Sequence, residues 1–207
     1  MPVETLRPIA NGSLILDGAQ GFYPEPAGTA FWDIVKVSNI VDGQSTRYVG
    51  WAVENENPPG VRMTVKLGAA GWAPGAIISY IKCFFIGAGG VDANQQPVTP
   101  SGTGNAFSIG LFLPNGSSQI VQNFTFTDYN WATFTATFNT NPLTGSPWDY
   151  YEVYNMEWLL SYGRYWTTSD KSYSVNDNAH NVAEAAWVEI SYTAGVASST
   201  GGMILHI

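Results

Sequence analysis

The strict alternation of Trp131–Phe138 constrains this chain more than any other feature. Ala132, Phe134, Ala136 and Phe138 fall on one face, and Trp131, Thr133, Thr135 and Thr137 on the other. A period of two, carried by aromatic and β-branched residues, predicts a half-buried strand. The next residues end it. Asn141-Pro142 removes a backbone donor, and Thr144-Gly145 accepts a positive φ. Ser146-Pro147 then reads as a helix start, with Ser as N-cap, Pro at the first helical position and Asp149 near the positive helix end. Tyr151, Tyr154, Trp158 and Leu159 follow at roughly helical spacing, so one short helix is expected around 147–160.

The rest of the chain reads as strands punctuated by turns. Val3–Pro8 is a short first strand closed by Asn11-Gly12, and Leu14–Leu16 a second. Phe31–Val37 alternates weakly, and Thr46–Glu54 places Val49, Trp51 and Val53 on one face. Val61–Leu67 alternates cleanly, with Val61, Met63, Val65 and Leu67 inward and Arg62, Thr64 and Lys66 outward. Ala76–Ile86 is apolar enough to predict a strand buried on both faces. Ala106–Leu113 and Gln119–Thr127 flank the hairpin signal Pro114-Asn115-Gly116. Gly163–Thr168 is a further short strand. Ala183–Thr193 sets Ala186, Val188, Ile190 and Tyr192 against Trp187, Glu189 and Ser191. The long polar segment 87–104 reads as a loop with a functional or assembly role. Eight or more strands at this spacing predict an all-β fold, an antiparallel β-sandwich of jelly-roll type. Residues 1–194 are expected to form one domain, and 195–207 a Gly/Ser-rich segment with an apolar tail.

Composition narrows the function. Charged residues make up 12% of the chain, about half the usual ~25%. The eight basic residues are scattered, none adjacent to another, and the formal net charge is −8. Gripping nucleic acid needs clustered Lys and Arg, so nucleic acid is not an expected partner. The lone cysteine, Cys83, sits in an apolar run and reads as a small buried hydrophobe. With no apolar run near the ~18–20 residues of a membrane span and no leader-like start, manufacture in a reducing cytoplasm is expected, with no membrane partner.

No nucleophile elbow, phosphate loop or paired-cysteine motif is found, and His180 and His206 lie far apart, so neither catalysis nor a metal or other cofactor is expected. Asp170, Asn176, Asp177, Asn178 and His180 offer donors for Ca²⁺ without the ordered spacing of a calcium loop, and a solvated loop explains them more simply. Asp149, Glu152 and Glu157 are close enough to suggest the carboxylate pair of a glycosidase, but acids at a helix start explain them as well. Aromatics are the denser signal. Trp148, Tyr151, Trp158, Tyr165 and Trp166 are candidate stacking residues for a surface glycan, against the simpler reading that they seal one end of the sandwich. In the tail, Met203, Ile204, Leu205 and Ile207 are candidate assembly residues.

Glu4-Thr-Leu-Arg-Pro8, Thr140-Asn-Pro-Leu-Thr-Gly-Ser-Pro-Trp148 and Trp187-Val-Glu-Ile-Ser-Tyr192 carry a resemblance. Their order is similar to that in tailed-phage and prophage virion proteins, which open on a TLRP-like start, pass through a TNPxTGxxW turn and close on an alternating Tyr-terminated strand. The resemblance implies a non-enzymatic jelly-roll virion component, capsid decoration or cement first, otherwise a small tail or fibre component. Its expected partners are other virion proteins and further copies of itself, with a trimer as the expected oligomer and the virion as its location. The alternative is a carbohydrate- or receptor-binding module built on the 148–166 aromatics.

Overall fold

The computed structural model describes residues 1–15, 22–25, 33, 48–52, 61–68, 71–72, 74–91, 106–113, 118–126, 130–162 and 180–193. Within them lie eleven strands: β1 (Val3–Leu6), β2 (Pro8–Ile15), β3 (Phe22–Glu25), β4 (Tyr48–Ala52), β5 (Val61–Leu67), β6 (Ile77–Val91), β7 (Ala106–Leu113), β8 (Ser118–Thr125), β9 (Ala132–Phe138), β10 (Glu157–Tyr162) and β11 (His180–Thr193). A four-residue helix, α1 (Tyr150–Val153), precedes β10. The strands form two antiparallel sheets packed face to face, an all-β sandwich. One sheet runs β3-β4-β11-β6-β9 with β1 also on β11, and the other runs β2-β5-β10-β7-β8.

The pairing nests. β7 pairs with β8, β6 with β9, β5 with β10 and β1 with β11, and successive pairs alternate between the two sheets. The strand expected over Val3–Pro8 is split at Arg7, where the chain leaves the β11 sheet as β1 and enters the other as β2. Asn11-Gly12 is therefore not a turn between strands but an irregularity inside β2, where the register on β5 shifts.

Side chains follow the alternation where it was clean. Met63 and Val65 of β5, Ala136 and Phe138 of β9, and Ala186, Val188 and Ile190 of β11 are buried in one core. Its centre is aromatic. Phe85 lies 5.3 Å from Phe107, 6.0 Å from Trp158, 6.1 Å from Phe134 and 6.4 Å from Phe126 between ring centroids. Large rings at these separations add roughly 0.5–1.5 kcal/mol per pair beyond the area they bury. Trp72 closes one end, buried against Tyr192 at 5.7 Å. It is held there by Glu4, whose carboxylate accepts from the Gly71 amide at 2.8 and 2.9 Å.

Four further expectations are corrected. The helix over 147–160 is only Tyr150–Val153, and its second half is β10, with Trp158–Leu160 in strand. A short apolar run cannot be told from a buried helix by period alone, and the position between β5 and β7 decides for strand. The N-cap is Asp149 rather than Ser146, and Glu152 completes a capping box. Thr64, expected outward on an open face, is buried. β6 is also not covered on both faces along its whole length, because Tyr80, Lys82 and Phe84 are half-exposed while Ile86–Ala88 are buried. Phe31–Val37 lies outside the described residues except Asp33, which is helical. Gly163–Thr168 lies outside them altogether.

Thr64 is covered by β2. The Glu157 carboxylate accepts from the Ser13 amide at 2.7 Å and from the Ser13 hydroxyl at 2.6 Å, drawing Gly12-Ser13 across the outer face of β5 and β10. A Cβ on Gly12 would fall inside contact distance of Thr64 Oγ1 and Glu157 Oε2 and of the Thr64 backbone. Gly12→Ala is therefore expected to cost about 1–3 kcal/mol through overpacking, read as a lower urea midpoint with an unchanged slope. An unchanged midpoint would mean that β2 does not lie against Thr64.

Candidate functional site

The predicted aromatic site divides into buried and exposed members. Trp148 is 3% exposed. Its indole Nε1 donates to the Phe138 carbonyl at 3.1 Å, and its backbone makes an isolated bridge to Ile78. Trp158 is fully buried beside Phe85. Neither offers a ring face to a ligand: Trp148 packs into the core from the turn after β9, and Trp158 lies at the core's centre rather than at an end. Tyr165, Trp166 and the tail residues Met203, Ile204, Leu205 and Ile207 lie outside the described residues, as do Asp170, Asn176, Asp177 and Asn178.

Among the described candidate stacking residues Tyr151 alone is exposed, at 67%, and Tyr154 joins it at 62%. Tyr150 stands between them, 5.1 Å from Tyr151 edge-on and 5.4 Å from Tyr154. Desolvation, then charge repulsion from Tyr154 and Tyr151 when these ionise, pushes the Tyr150 phenol above its ordinary value. It stays protonated, able to donate, throughout the neutral range.

The pedestal under these tyrosines is rigid for reasons legible in the chain. Asn141 is buried, and its Oδ1 accepts from the Leu143 amide at 2.9 Å while its Nδ2 donates to Glu152 Oε1 at 2.9 Å. Gly145 adopts φ +70°, where a side chain is disfavoured, so that its amide reaches the Asn141 carbonyl at 2.8 Å. Glu152 Oε2 accepts from the Asp149 amide at 2.8 Å, and Asp149 Oδ1 accepts from the Tyr151 amide at 2.6 Å. The turn expected at Asn141-Pro142 and Thr144-Gly145 is thus present. Asp149, Glu152 and Glu157, weighed above as a catalytic set, each hold a backbone amide.

A second aromatic group lies on the outer face of the β11 sheet. Phe84 and Trp187, directly opposite in the β6–β11 register, stack at 4.7 Å with planes 3° apart. The Arg7 guanidinium lies 5.2 Å from the Trp187 centroid, and Lys82 Nζ 4.7 Å from that of Tyr80. Trp187 was legible as outward-facing, but Phe84 was hidden in an apolar run. With Phe84 and Arg7 both against its ring, Trp187 works as a cross-strand brace.

Cys83 is fully buried, and burial pushes its thiol far above the ordinary range, which keeps it unreactive. Among the described residues, no three His, Cys, Asp or Glu side chains converge as metal ligands, and no helix is long and apolar enough to cross a membrane. Compared with known proteins, the chain matches no family model and no curated protein.

Trp148→Ala is expected to cost about 3–5 kcal/mol in chemical denaturation, through the cavity and the orphaned Phe138 carbonyl. Tyr151→Ala is expected to stay within about 0.5 kcal/mol, as befits an exposed side chain. Equal costs for the two would refute the division into plug and surface.

Proposed function

We propose that the chain is a non-enzymatic structural protein of a bacteriophage virion, a capsid decoration or cement subunit first and a small tail or fibre component otherwise. The observation that carries this reading is the nested pairing of β7–β8, β6–β9, β5–β10 and β1–β11 across two sheets. That winding is what a jelly roll requires, and the architecture serves viral capsid and lectin domains. The motif order given above supports the same reading, as does a surface poor in charge. Four carboxylates, those of Glu4, Asp149, Glu152 and Glu157, are engaged in holding backbone amides. Proteomics and immunogold electron microscopy of purified particles test it. Label on heads supports decoration, label on tails supports a fibre role, and particles free of the protein overturn the proposal.

Tyr151 and Tyr154 favour a second reading, a glycan- or receptor-binding module. Two exposed phenol rings on a braced turn lose little conformational freedom on binding. A glycan array separates the readings. Retention of a glycan by the intact chain, lost in Tyr151→Ala and Tyr154→Ala, supports this one. Silence across the array removes it.

A further inference from the structure

The sandwich treats its open edges unequally. β1 and β3 are four residues each, and β3 contains Pro24 and Glu25. β2 opens on Pro8 and shifts register twice against β5. Short strands, prolines, charges and irregular register are the devices by which sheets blunt an edge against pairing. β8 and β9 have none of them. Each is seven or eight residues long, without Pro or charge, and each holds one unbroken register with its inner neighbour. Among the described strands they end their two sheets, and Phe124 of β8 meets Phe134 of β9 at 5.6 Å, so the two edges lie on the same side of the sandwich. Between Asp92 and Asp149 the only charged side chain is Asp128. For a chain with a net charge of −8, β8 and β9 are uncharged edges among the described residues, which a second copy can approach without repulsion from the strands themselves.

The sequence of β9 fits itself. An antiparallel two-fold centred on Thr135 sets Thr133 opposite the second copy's Thr137 and Thr135 opposite its own mate, all on the outer face. On the inner face it sets Phe134 opposite Ala136 and Ala132 opposite Phe138. Large meets small at each inner pair, and hydroxyl meets hydroxyl at each outer one, the combinations that stabilise cross-strand neighbours. Phe134 faces the core yet is only half-buried, as is Ala132, because nothing among the described strands lies beyond β9. A second β9 would cover both.

We propose that β9 pairs with the β9 of a second copy about a two-fold axis at Thr135, making the dimer, rather than the trimer expected from the sequence, the first unit of assembly. The pairing is isologous and closes on itself, so it needs no other component. It stands independently of the virion reading.

Sedimentation and light scattering of the full chain across the micromolar range give the first readout. Twice the chain mass of 22.4 kDa is expected, falling to the single mass in Thr135→Lys, which sets two charges against each other at the axis. Cysteine substitutions give a second readout that does not depend on that variant folding. Thr135→Cys is expected to cross-link to its mate under mild oxidation. Thr133→Cys or Thr137→Cys alone should not, whereas the two together should. A monomeric or trimeric parent, or cross-linking that does not follow this register, overturns the proposal. Buried Cys83 gives no background in these reactions.

Discussion

β11 is the strand on which the sandwich depends. It pairs with β6 from His180 to Thr193, and on its other side it receives β4 at its start and β1 near its end. The first and last described strands thus meet in one ladder, Val3 opposite Ser191 and Leu6 opposite Val188. Every enclosed pair, from β4–β11 and β5–β10 down to β7–β8, spans less of the chain than that outermost one. The local β7–β8 ladder bears the least loop-closure entropy and the β1–β11 ladder the most, which places this fold among the slow, non-local ones. Register shifts along β11 absorb the twist of so long a strand, and they fall outside Ala185–Ser191, where its inward side chains meet the core.

The core and the candidate site follow from that ladder. Phe85 sits midway along β6, opposite Ala186 on one side and Phe134 on the other. The small residue on β11 leaves room for rings from the facing sheet, Phe107 and Trp158, to close over it. Aromatics that a composition-based reading assigns to a ligand are in this way consumed by the interior. The TNPxTGxxW segment supplies Trp148 to the core and, a few residues later, Tyr151 to the surface. One turn both plugs and displays, and the capping box between Asp149 and Glu152 fixes the angle between the two roles.

Legibility in the sequence tracked how many faces an element buries. β5 and β9, each with one face to the core, announced themselves by alternation, and the sandwich followed from them. β10 was misread as helix because Trp158, Leu159 and Leu160 are all buried, erasing the period that marks a strand. Thr64 keeps its outward place in the alternation and is buried all the same, because Glu157 draws another segment over its outer face. No local pattern encodes a hydrogen bond from Ser13 to a carboxylate so distant in the chain. Trp148 and Tyr151 lie three residues apart and have opposite fates, set by the single helical turn that follows the cap.

Scarcity of charge explains how the surface can still be specific. The carboxylates of Glu4, Asp149, Glu152 and Glu157 terminate on backbone amides, so their energy goes into fixing loops rather than into long-range fields. Those four acids thus serve local structure, as do Arg7 and Lys82, which lie over aromatic rings. Recognition between surfaces of this kind falls to shape, hydroxyl pairing and strand register. These act only at contact and are little weakened by salt, since screening acts on separated charges. In the proposed β9 pairing, such contacts would give up speed of encounter in exchange for an interface that persists when ionic strength changes.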